Sequence, residues 1–240
     1  MKEALDSKTL IEEAYLKIKQ MIFQQRVAPG QRLIYQDLCE LLKMSRTPII
    51  NALIRLEQEG FLVSQAHRGF CVKPIDLKEA WDLFGVREAL EVYAVELAIN
   101  RIEDTSIETF EEKFRNHQEY MPNFYDRRKF RLDAEFHIQI SIIAGNQALE
   151  KLLRTNLEHV YLRYKLQDYS LERMADAIKE HRSMINRICA RDIKGAVELM
   201  RIHVRSARDS VIATLSREDQ DEEALALSSY PAVSFKKSGE

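Results

Sequence analysis

The sequence predicts a mostly α-helical protein in two parts: a small N-terminal unit of three helices closed by a β-hairpin, and a larger C-terminal all-α antiparallel bundle. Three observations predict it. At 240 residues the chain exceeds a typical single domain. Two β-prone runs lie within Phe61–Lys73, and no strand alternation appears after Pro74. After Pro74 almost every segment carries helical periodicity with few glycines. The expected domains are 1–74 and 75–216, with 217–240, acidic and then rich in Ser, Pro and Lys, as a flexible tail.

The first helix follows from SKTLIEEAYLKIKQMIFQ, where Leu10, Ile11, Ala14, Ile18, Met21 and Ile22 share one face and Pro29-Gly30 ends the segment. A brief extended stretch at Leu33-Ile34 precedes a short helix with Leu38, Leu41 and Leu42 expected inward. Lys43-Met44 is the turn. The third helix has Ser45 as N-cap, Pro48 in its first turn where the missing N–H costs little, and Gly60 as its stop. Its buried stripe is Ile49, Ala52, Leu53 and Leu56. Two strands, Phe61–Ser64 and Phe70–Lys73, follow around a tip at Arg68-Gly69, which makes the unit a winged helix-turn-helix. In the second part, helices are expected near 76–102, 105–119, 123–144, 147–167, 171–190 and 192–216.

No run of about 18 apolar residues exists, and the start MKEALDSKTLIEEAY carries acids where a signal peptide is apolar, so a cytoplasmic protein is expected, with no membrane insertion. Cys39, Cys71 and Cys189 are odd in number and widely spaced, unlike paired metal or redox motifs, and are taken as small hydrophobes. The charge is divided: 11 Lys and Arg against 8 Asp and Glu in residues 1–74, and 25 against 30 in the remainder. That asymmetry suits an N-terminal part that meets phosphate.

Ser45, Arg46 and Thr47 place two hydroxyls, free backbone N–H groups and a guanidinium at one helix N-terminus. The set suits a phosphate together with a guanine edge, to which arginine donates two parallel hydrogen bonds. The run PGQRL…DLCELLKMSRTPIINALIRLEQEGF…HRGFCV, residues 29–72, resembles the N-terminal domain of GntR-family transcriptional regulators. The resemblance implies base or phosphate contacts by Arg46 and Thr47, and a wing of His67, Arg68 and Gly69. Where that family usually has Arg-Glu, this chain has Ile50-Asn51, so a second base-reading arginine is missing; Gln36 also stands where some members carry an arginine. Arg55, one turn beyond Asn51, is then a candidate phosphate contact.

The bundle raises a separate question. Phe130, Asp133, His137, Ile140 and Ala144 form one stripe; Ile178, His181, Ile185 and Ile188 a second; Ala196, Leu199, Met200, His203 and Ala207 a third. Three histidines and an aspartate interrupt apolar faces. Burying them singly costs a few kcal/mol each, so they are expected to meet. Together they form the ligand set of a divalent transition metal, zinc first, with nickel, manganese or iron as alternatives.

DAEFH, EHRSMINRICARD and MRIHV, with AGNQALEKLL and VREALEVYAVELA, resemble the FCD ligand-binding domain of the FadR subfamily over about 76–210. The resemblance implies Asp133, His137, His181 and His203 as metal ligands and places Arg87 near an effector pocket, with an intrahelical pair to Glu91 as its alternative role. The function expected is a repressor that binds double-stranded operator DNA as a homodimer under control of a small carboxylate. Two alternatives stand beside it: a metal-dependent hydrolase, for which Glu88 and Glu135 are the candidate bases, and a regulator with a purely structural metal.

Overall fold

A computed structural model describes residues 2–24, 26–65, 69–103, 111, 114–115, 119–120, 127–163 and 171–228. The N-terminal head contains α1 (Lys2–Phe23), β1 (Arg32–Leu33), α2 (Tyr35–Leu42), α3 (Arg46–Gln58), β2 (Leu62–Gln65) and β3 (Gly69–Val72). The strands form an antiparallel sheet in the order β1-β3-β2, with Leu33 opposite Phe70 and Ser64 opposite Phe70 on the other side. The bundle contains α4 (Leu77–Arg101), α5 (Arg127–Ile143), α6 (Gln147–Arg163), α7 (Leu171–Cys189) and α8 (Ile193–Ser228). α4 is central and packs against the other four.

The head has its own core of Ala14, Ile18, Ile22, Ile49, Leu53 and Leu56, all fully buried, so the α1 and α3 stripes lie where their periodicity puts them. Lys43 closes α2 in the left-handed region, φ 54°, the tight turn between two short helices. Gly60 ends α3 at φ +82°, with Gly60 N–H on the Glu57 carbonyl at 2.9 Å and Phe61 N–H on the Leu56 carbonyl at 2.9 Å, the paired bonds of a glycine C-cap. Asp76 caps α4 by accepting from Glu79 N–H at 2.7 Å.

Several expectations shift. Leu41 is 61% exposed and Leu10 43%, because an 8-residue α2 and the first turns of α1 have too little opposing surface to cover every apolar position. Both hairpin strands move by one residue from the expected bounds; in a continuous apolar run, alternation does not mark the ends. α8 continues past the expected 216 to Ser228. The helix expected over 105–119 lies largely outside the described residues.

Head and bundle meet at α6. Leu162 enters the core of the head. Arg163, 2% exposed, donates to the Gly60 carbonyl at 3.2 Å and pairs with Glu79 at 2.8 Å. His159 stacks on Phe61, centroids 4.4 Å apart, and Lys19 of α1 pairs with Glu158 at 2.7 Å.

Candidate metal centre and nucleic-acid interface

At the N-terminus of α3, Ser45, Arg46 and Thr47 are all exposed, beyond the buried Pro48 and Ile49. Ser45 occupies the N-cap position in an extended conformation, yet its side chain makes no capping bond, which leaves the hydroxyl and the first backbone N–H groups facing outward. The Arg46 guanidinium lies over the Tyr35 ring at 4.6 Å, a stacking that holds the cation at the helix tip. Asn51, in the departure Ile50-Asn51, turns back on its own helix and donates to the Thr47 carbonyl at 2.9 Å.

Arg55 is differently employed. It pairs with Glu12 of α1 at 2.5 Å and with Glu59 at 3.0 Å, and its guanidinium covers the Tyr15 ring at 3.7 Å. These contacts brace α3 against α1. His67 and Arg68 lie outside the described residues. Gly69 opens β3 at φ +82°, and a Cβ there would come within 3.3 Å of the Leu33 carbonyl oxygen, so the wing strand approaches β1 through a position made for glycine.

In the bundle, α5 carries Asp133 and His137 one turn apart, α7 carries His181 and α8 carries His203; all four are buried. Nε2 of His181 lies 3.2 Å from Nε2 of His203, which lies 3.3 Å from Nε2 of His137. The Asp133 carboxylate is 3.8 Å from His137 Nε2 and 3.7 Å from His181 Nε2. Ligands about 2.0–2.1 Å from a tetrahedral zinc stand roughly 3.3–3.4 Å from one another, so the two nitrogen separations fit a shared ion. Three buried imidazole nitrogens converging on one point form a polar centre suited to a cation.

Residues around the four define the ligands' orientation. Glu91 of α4 meets Nδ1 of His137, and Glu180 of α7 meets Nδ1 of His203 at 2.6 Å, so two imidazoles present Nε2 inward with a carboxylate behind them. Tyr161 OH donates to Asp133 Oδ2 at 2.5 Å. Burial holds the His203 imidazole below its ordinary pKa despite Glu180, which keeps it neutral and able to ligate. Burial would raise Glu91, but Arg87 and His137 outweigh it and hold the carboxyl at about 2. Phe136, its ring 4.2 Å from that of His181, closes one wall.

Arg87 forms the intrahelical pair with Glu91 that was its alternative role, and it also reaches the candidate ligand His137. Its Nε donates to Glu91 at 2.5 Å, and its second guanidinium nitrogen reaches His137 Nε2 at 2.9 Å. A cavity of about 20 Å³, room for about one water, lies between Arg87, Asp133, Tyr161, Arg173 and His203. Arg173 forms a two-pronged pair with Glu180 at 3.0 and 2.8 Å. The candidate bases lie elsewhere: Glu88 is held by Arg205 at 2.7 and 2.9 Å, and the Glu135 side chain is 63% exposed. Glu180, Tyr161 and Arg173 carry no sequence signal, and Glu91 is expected only as a partner of Arg87, not of His137. Glu91 had one signal, its place four residues after Arg87 on the same helix.

Comparison with known proteins decides the family. The profile of the FCD domain matches residues 82–206, which contain all four candidate ligands, and that of the gntR family of bacterial regulatory proteins matches residues 10–72. The chain belongs to the GntR family, in its FCD-containing branch. This GntR protein is a transcriptional regulator with a DNA-binding head. It is 34% identical over 132 residues to the Nta operon transcriptional regulator of Aminobacter aminovorans, a match covering 55% of this chain and 62% of that protein. It is 25% identical to the YdhC HTH-type transcriptional regulator of Bacillus subtilis strain 168, over 79% of this chain and 85% of the relative. Among solved structures, E. coli McbR/YncC superposes with a TM-score of 0.72 at 20% identity, covering 87% of this chain and 98% of the other. A GntR regulator from Rhodococcus sp. RHA1 gives 0.68 at 16%, covering 85% and 97%. Both share the fold. Among the described residues, no helix is long and apolar enough to cross a membrane.

Proposed function

We propose that this GntR regulator acts in the cytoplasm as a homodimeric repressor of a pseudo-palindromic operator, released by a small organic acid bound at a divalent metal. Two heads related by a two-fold axis read two half-sites, with Ser45, Arg46 and Thr47 at the major groove and His67, Arg68 and Gly69 as the wing. Arg55 stays with Glu12 and Glu59 as a brace between helices. Asp133, His137, His181 and His203 hold the metal, zinc first. When bound, the ion supplies a Lewis-acidic point that attracts a carboxylate.

The observation that carries the proposal is the double role of α6. Tyr161 on this helix bonds the candidate ligand Asp133, and Arg163, two residues on, bonds the Gly60 carbonyl at the end of the recognition helix. A change at Asp133 therefore has a short mechanical route to α3. Arg87 adds a second element. Its bond to His137 Nε2 uses the lone pair that a metal takes, so metal occupancy frees a guanidinium N–H inside the cavity for an anion.

The small cavity favours one competing reading, a metal that only locks helices together. Operator binding by zinc-loaded protein, titrated with a panel of small mono- and dicarboxylates, separates the two. Release by one acid, lost in Arg87→Met, supports the effector site; indifference to all of them with lowered thermal stability on chelation supports the structural metal.

A further inference from the structure

A second cavity lies outside the cluster of imidazoles and away from the tip of α3. A groove of about 370 Å³ runs between α1 of the head and α5 and α6 of the bundle. Its floor is Phe130, Ile138, Leu157, Tyr161 and Leu162, all buried, and Leu16 of α1, 55% exposed, stands at its edge. Size and lining are those of a small-molecule site: a few hundred cubic ångströms, mostly apolar, with polar groups contributed by each of the three helices.

The polar groups give the ligand its charge. Among the lining residues, Lys19, Arg131 and Arg154 face a single carboxylate, Glu158. Lys19 is spent on Glu158 at 2.7 Å and on the Tyr15 hydroxyl at 2.9 Å, and Arg154 on Glu150 at 2.7 and 2.9 Å. Arg131 differs. The carboxylate paired with it, Glu135, is 3.7 Å away, beyond hydrogen-bond distance, so its fork of donors is available at the rim.

We infer that this groove binds an amphipathic monocarboxylate, its aliphatic or aryl body on the floor and its carboxylate on Arg131. The ligand contacts both domains, since one wall belongs to α1. It is separated from the metal cluster by Tyr161, which lines this groove and the small cavity beside His203 alike. The inference is independent of the metal-bound effector proposed above.

Titration calorimetry on the full chain, with hexanoate, octanoate and 1-octanol as probes, tests it. From hexanoate to octanoate the affinity should rise about fourfold per methylene. 1-Octanol should bind at least tenfold more weakly than octanoate, and Arg131→Gln should remove that difference. Ala134→Trp, which fills the groove, should abolish binding of both probes. Leu16→Glu changes only an exposed side chain and so keeps the test valid if the tryptophan variant does not fold; its charge at the mouth should weaken octanoate at least tenfold. Removing metal with a chelator should leave these affinities unchanged. Equal affinity for all chain lengths, octanoate binding that disappears with the metal, or wild-type octanoate binding by Leu16→Glu would each overturn the inference. So would a Leu16→Glu chain that binds octanoate normally but changes its sedimentation, since a second copy would then cover the groove.

Discussion

The Tyr161 hydroxyl donates to Asp133 Oδ2 at 2.5 Å, so a residue of α6 holds one oxygen of a candidate metal ligand carried by α5. The bond ties the orientation of the carboxylate to the helix that also reaches the head. Tyr161→Phe leaves ring packing against Phe130 in place and removes only the donor. Metal affinity should fall about 10- to 100-fold, the usual cost of losing a partner behind a ligand, as measured by competition with a chromogenic chelator. Stability of the metal-free chain should drop by about 1–3 kcal/mol, because a buried carboxylate oxygen loses a hydrogen-bond donor.

Arg163→Met should uncouple the domains without touching the metal centre. The substitution keeps the aliphatic volume but strips the Gly60 carbonyl and Glu79 of a buried partner; Glu79 retains Lys73 at 3.0 Å. Because that second cation remains, the cost should be about 2–3 kcal/mol, below the usual range for breaking a buried pair. Metal content should match wild type, while operator affinity stops responding to chelation.

His159 makes the junction sensitive to acid. Burial and then the neighbouring Arg163 charge lower its pKa from an ordinary 6.5 to about 4. Above pH 6.5 the imidazole is neutral in both folded and unfolded chains and contributes nothing. As pH falls from 6.5 toward 4 the unfolded chain takes up the proton first, so stability is lost across that window. After discounting for partial exposure the loss is about 1–2 kcal/mol. Denaturant titrations at pH 7 and pH 4.5 should show His159→Phe, which keeps the stack on Phe61, losing less than wild type by that amount. Both chains carry the same metal centre, so the difference isolates His159.

Arg46→Ala should weaken operator binding by about 1–3 kcal/mol if the guanidinium reads a guanine, and should relax the preference at that base pair. Competition between operator variants at fixed salt measures it. Arg55→Ala should act through stability of the head instead, since its donors are already used by Glu12 and Glu59.

The four candidate ligands were legible because each breaks an apolar stripe at helical spacing, and a buried polar group needs a partner. Nothing comparable marks Glu180, and Glu91 is marked only as a partner of Arg87: acids are common on amphipathic helices, and only the fold turns these two toward imidazoles. Arg163 was invisible for a related reason. At the end of α6 it has the look of a solvated C-terminal cation, and its burial arises from a domain contact that has no local signature. Arg55 was assigned outward because its spacing from Asn51 suits a groove-facing helix; periodicity did not reveal that Glu12 and Tyr15 of α1 approach that side. Gly60 and Gly145-Asn146 stop helices where the sequence puts the stops, whereas α1 ends at Phe23, before Pro29-Gly30, and Pro74 follows strand β3 as the break between head and bundle.

The central claim is that operator binding by the head depends on the metal centre in the bundle. The most direct test is nuclease protection on the DNA flanking the gene for this chain, at stated salt and with competitor DNA, comparing zinc-loaded protein, chelated protein and His181→Ala. The account predicts a protected palindrome, with the concentration for half-protection shifted to the same new value by chelation and by His181→Ala. Identical protection in all three states, with metal content lost in the last two, would contradict it.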